Sequence, residues 1–151
     1  MENNNLLGLL KHQAENLNAL LSTILKKQKA IVANDVLEIE NSTSEEEKLL
    51  SAINNTEKAR IDFLNHFYNE NSIESPSVKI DDYLLTNADN LNEQQQNDIL
   101  KLRNIIKKTT NEIIKVNQQN KYLITHSRNL LNEIVTAIFS ERNNSLFDRR
   151  V

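Results

Sequence analysis

The sequence contains no cysteine and no tryptophan, and it has one glycine and one proline. Without cysteine there are no disulfides, no thiol chemistry and no cysteine-based zinc site, a usage that suits a reducing compartment. A single glycine leaves no room for a glycine-rich phosphate loop. Sheet proteins spend glycine and proline on tight turns, so the chain is expected to consist of long helices with few corners. Aromatic residues make up only 5 %, which argues against a large aromatic-lined ligand pocket. A net charge of -3 and a pI near 5.7 argue against the basic footprint of a nucleic-acid binder. No apolar run reaches the ~18 residues of a membrane span. The start, Met1-Glu2-Asn3-Asn4-Asn5, lacks the basic residues of a secretory signal, and Leu6 to Leu10 is too short for its apolar region. A cytoplasmic protein without stable membrane insertion is expected.

Catalytic constellations are missing as well. His12, His66 and His126 fall on separate segments, with no second histidine at ligand spacing. No Glu-x-x-His pattern of a di-iron bundle occurs, and Asp81-Asp82 reads as a helix cap. The serines occupy capping or polar positions. No catalytic, cofactor-binding or metal-ligating residue is assigned, and no cofactor is expected.

What the sequence does contain is helical periodicity. Between Ile99 and Ala137, steps of three and four meet Ile99, Leu102, Ile106, Thr109, Ile113, Val116, Asn120, Leu123, Ser127, Leu130, Ile134 and Ala137. One helix cannot bury its own stripe, so this seam needs partners. At 1.5 Å per residue it runs roughly 60 Å, too long for the core of a compact globule. A similar alternation, Leu7, Leu10, Ala14, Leu17, Leu21, Ile24, Gln28 and Ile31, marks a first helix. Gly8 lies early enough in it to fray one turn without breaking it. Ser44 with Glu47, or Thr43 with Glu46, has the spacing of a capping box, which predicts a helix start there. Leu49, Ile53, Thr56, Arg60, Phe63 and Phe67 continue that second helix.

These patterns predict an all-α fold, an elongated antiparallel bundle of about three long helices plus a short connecting helix. The whole chain, 1–151, is read as one bundle domain, with helices at about 6–38, 44–68 and 91–139. Residues 69–90, which hold Pro76, form an irregular link that crosses the bundle end or stays mobile. Asn90 with Glu93 marks the start of the long helix. Residues 140–151 are expected to form a loose tail in which Leu146 and Phe147 are the conspicuous apolar residues.

Two features of the seam bear on function. Arg60 and Asn120 are polar entries on apolar stripes, with Asn117 beside the latter. A buried asparagine costs stability and gains register, because only one alignment satisfies its amide. Arg60 either carries its guanidinium to the edge or pairs with a polar group on the long helix. Further along, a second apolar stripe joins the seam through Ile124, Leu131, Val135, Ile138 and Phe139. The widened face is either a wider intramolecular core or a groove for another helix.

In these residues the chain resembles the FlgN-type flagellar export chaperones. The likeness rests on Asn117-x-x-Asn120-x-x-Leu123 in the long helix, on Lys48-Leu49-Leu50 followed by Arg60, and on Glu15 with Leu17, Leu20 and Leu21 in the first helix. It spans about Leu6 to Phe139. Phe147-Asp148 is similar to the family's ending, but Val151 stands where a glycine is expected. The resemblance implies a cytoplasmic type III export chaperone, with hook-associated (hook–filament junction) proteins as partners and the export apparatus as destination. It implies contact with the client's C-terminal helical region through the C-terminal helix, which singles out the stretch from Asn120 to Phe139. Its apolar residues are Leu123, Ile124, Leu130, Leu131, Ile134, Val135, Ile138 and Phe139, of which the seam residues Leu123, Leu130 and Ile134 serve either the client or the internal core. A monomer or weak homodimer is expected. The alternative is a structural homo-oligomeric coiled coil or scaffold using the same stripes.

Overall fold

The structure is a computed structural model that describes the backbone of residues 2–148 and the side chains of residues 5–139. Four helices follow one another: α1 (Glu2–Ala33), α2 (Val36–Glu70), α3 (Ile80–Thr86) and α4 (Glu93–Asp148), with a single 3-10 turn at Ala88–Asn90. No strand occurs among the described residues. The long helices run up, down and up, so α1 and α4 are parallel and α2 is antiparallel to both. Leu6 and Leu10 share a core cluster with Ile99, and Leu17 and Leu20 share the next one with Ile113 and Val116. α1 is the central helix. It packs along both α2 and α4, which do not pack on each other along their length.

The first corner is tighter and earlier than the capping pattern suggests. Asn34 takes a left-handed conformation (φ 57), which asparagine tolerates better than most residues. The Asp35 carboxylate then accepts from the Glu38 backbone N–H at 3.1 Å and starts α2. Thr43 and Ser44 lie inside α2, where the Thr43 hydroxyl donates to the Ile39 carbonyl at 2.8 Å. Glutamates on either side of them serve the α1–α2 interface: Lys26 meets Glu38 at 2.9 Å and Lys27 meets Glu46 at 3.3 Å. Capping-box spacing also arises within helices, whereas Asn-Asp after a periodic run combines a left-handed residue with a cap.

The long link is structured. Tyr83 of α3 is fully buried beneath the bundle end, edge-on to Phe67 at 4.9 Å and to Phe63 at 6.3 Å. Tyr68, beside them and also buried, has its phenol pushed above the ordinary range by lost hydration. α4 begins with a reciprocal cap two residues later than expected. The Asn92 side chain accepts from the Gln95 N–H at 2.8 Å, and the Gln95 side chain accepts from the Asn92 N–H at 3.0 Å. The helix then continues through Asp148 instead of loosening at residue 140. The apolar pattern ends there, but no proline or glycine follows to stop the helix. The side chains of Leu146 and Phe147 lie outside the described residues.

Candidate functional site: the uncovered face of the long helix

α4 has 56 residues and α1 has 32, which at 1.5 Å per residue makes them about 84 and 48 Å long. Both helices start at the same end of the bundle, so α4 outruns its partner. Along the shared length the seam is covered: Ile99, Thr109, Ile113, Val116 and Asn120 are all buried. Asn120, 4 % exposed, is the last of them. Its amide donates to the Ile24 carbonyl at 3.2 Å, and one turn further along α1 the Gln28 amide donates to Gln119 at 3.2 Å. The chain turns back at Asn34, so among the described residues nothing covers the seam beyond that level.

Past Asn120 the same helix face emerges into solvent. Leu123 is half-buried and Ile124 sits at the margin. Leu130, Leu131, Ile134, Val135, Ile138 and Phe139 are 47 to 60 % exposed. The eight residues singled out in the sequence therefore lie on one continuous apolar surface. Of the two readings of the widened stripe, an intramolecular core does not form among the described residues, because α1 and its turn into α2 end too soon. An uncovered apolar face of this extent marks a docking surface more often than ordinary surface. Lys121 and Arg128 border it along one edge, and neither has an anionic partner among the described residues.

The polar entries separate. Asn120 is brought into the helix interface. Asn117 is exposed, and its side chain makes no hydrogen bond among the described residues. Arg60 does not reach α4: its guanidinium donates to Glu57 at 2.6 and 2.9 Å and to the Val78 carbonyl at 2.6 Å. It ties the link to α2 and makes no hydrogen bond to the long helix, which brings the cations Arg103 and Lys107 to the same groove. The histidines are peripheral: His12 and His66 sit beside Glu15 and Glu70, and His126 stacks on Tyr122 at 5.9 Å. No metal-binding cluster occurs among the described residues, and no helix there is long and apolar enough to cross a membrane.

A further signal lies in the distribution of charge. Residues 93–148 carry eight lysines and arginines against six acidic residues, whereas residues 2–70 carry seven against eleven. The whole-chain charge hides a basic long helix laid against an acidic hairpin.

A family model described as FlgN protein matches residues 1–150. No curated protein and no solved structure matches the chain.

Proposed function

The chain belongs to the FlgN family of flagellar export chaperones, and from this we propose that it holds the C-terminal helical region of hook–filament junction proteins on the uncovered face of α4. The observation that carries the reading is the apolar surface from Leu130 to Phe139, on the helix that reaches past the end of the bundle. A client helix would lay its apolar anchors along this face and regain the covered seam that α1 supplies upstream. While bound, it could not associate with other copies of the client. Holding and release require no covalent chemistry and no cofactor. Ordering a flexible client end consumes part of the interaction energy, which keeps the affinity moderate and allows hand-over to the export apparatus. The complex would form in the cytoplasm, before export.

The test is co-purification of the full chain with C-terminal segments of the junction proteins from the same genome, read by native mass spectrometry. A discrete complex that Ile138→Asp removes supports the reading. A stable homodimer that binds none of the segments would replace it with the structural coiled coil.

A further inference from the structure

The space between α2 and α4 is a groove of about 890 Å³. Leu10 and Leu17 of α1 form its floor, Leu50 and Ile53 one wall and Ile106 the other, while Val78 of the link closes one end. Leu50 and Val78 are half exposed, 52 % and 47 %. From Leu50 to Arg60 the groove follows α2 for about 15 Å, three helical turns. Its floor also holds buried Gln13, whose amide donates to the Ile53 carbonyl at 3.2 Å and whose Oε1 has no partner. The groove thus has the length, the apolar lining and the missing neighbour of an unfilled position in a four-helix bundle.

The rim carries a sign. Arg60 is neutralised by Glu57 and Arg103 by Asp81, each pair at 2.6 Å. Lys79 and Lys107 also line the groove, and neither has an anionic partner among the described residues. A surplus of two positive charges therefore faces any occupant. We propose that the groove is a second docking site, distinct from the uncovered end of α4, for an amphipathic helix of about three turns from another protein, apolar on one face and edged with carboxylates. Such a helix completes the bundle and places its acidic residues against Lys79 and Lys107. A second copy of this chain fits less well, because its own uncovered apolar segment is bordered by Lys121 and Arg128 and would bring like charge to the rim. The proposal does not rest on the client reading, since the groove and the uncovered face share no residue.

The natural absence of cysteine and tryptophan makes the test direct. A bimane fluorophore is placed at Leu50→Cys and, separately, at Thr110→Cys. The probes are two helical peptides of about 14 residues, each with a leucine face and one tryptophan, edged with glutamate in one and lysine in the other. The glutamate peptide should quench both labels saturably, and the lysine peptide should bind about tenfold more weakly, as expected for two partly exposed charge contacts. Lys79→Glu combined with Lys107→Glu should invert that order, with helicity unchanged, whereas Ile138→Asp should leave it intact. Equal affinity for the two peptides, or indifference to the charge reversal, overturns the proposal. A bimane change that grows with protein concentration alone, accompanied by a dimer in sedimentation, assigns the groove to a second copy and also overturns it.

Discussion

Asn120 and Ile24 lie 96 residues apart in sequence, and the side-chain amide of the first donates to the backbone carbonyl of the second at 3.2 Å. The bond sits at the last covered level of the α1–α4 seam. The other half of the carboxamide, Oδ1, is buried without a partner. The site therefore combines one hydrogen bond that marks a register with one unsatisfied acceptor that costs stability. Asn120→Leu is expected to raise stability by about 1 kcal/mol, seen as a higher urea midpoint. The α1–α4 pairing should also become less unique, broadening the distance distribution between spin labels at Lys29→Cys and Gln118→Cys. A lower midpoint would show that the amide bond outweighs the orphaned oxygen.

Gly8 lies inside α1, and a Cβ added there would meet nothing within 4 Å. Its φ is not positive, so an L residue fits the backbone. Gly8→Ala should stabilise the protein by about 0.5–1 kcal/mol through helix propensity and the reduced freedom of the unfolded chain. Thermal unfolding followed by circular dichroism checks this, and an unchanged or lower midpoint would refute it.

Part of this architecture is legible in the amino-acid sequence and part is not, for identifiable physical reasons. The seam of α4 needs only its own periodicity, so Ile99 to Asn120 can be read directly. The α1–α2 corner falls earlier than the sequence pattern places it, because Ser44 and Glu47 imitate a cap. The actual signals, Asn34 and Asp35, are two small polar residues at the end of a stripe. Periodicity also does not say whether Leu131 and Ile138 are covered. Coverage depends on where α1 stops, a property of a different segment. The same holds for Arg60: the sequence places it on a stripe, but its bond to the Val78 carbonyl depends on the path of the link.

The link is anchored by a charge pair that responds to pH. The Arg60 guanidinium, hydrogen-bonded to Glu57, holds that carboxylate below its ordinary value of 4.5, against the opposing pull of partial burial. A carboxylate lowered in the folded state adds stability above its unfolded value and loses that contribution as pH falls through the folded one. Glu57 is 40 % exposed, so solvent screening keeps the contribution small. Between pH 7 and pH 3 the urea midpoint of the parent protein should fall slightly further than that of Glu57→Gln. Identical acid dependence in the two proteins would show that the pair adds nothing to stability.

The uncovered end of α4 makes the sharpest demand. Leu131 is 60 % exposed and Ile138 53 %, on a helix whose backbone bonds are formed within the segment itself. Replacing an exposed leucine or isoleucine by aspartate removes little intramolecular burial, so Leu131→Asp and Ile138→Asp should each leave helicity intact and shift stability by no more than about 0.5 kcal/mol. By contrast, Ile99→Ala, at a site 1 % exposed in the covered seam, should cost roughly 2–5 kcal/mol through the cavity it leaves. The contrast separates a docking face from a core on one helix: a face tolerates charge until its partner arrives, whereas a core does not tolerate even lost volume. Urea unfolding of the three variants side by side is the measurement. If Leu131→Asp or Ile138→Asp destabilises the protein as much as Ile99→Ala, the face is buried in solution and its assignment as a client surface fails.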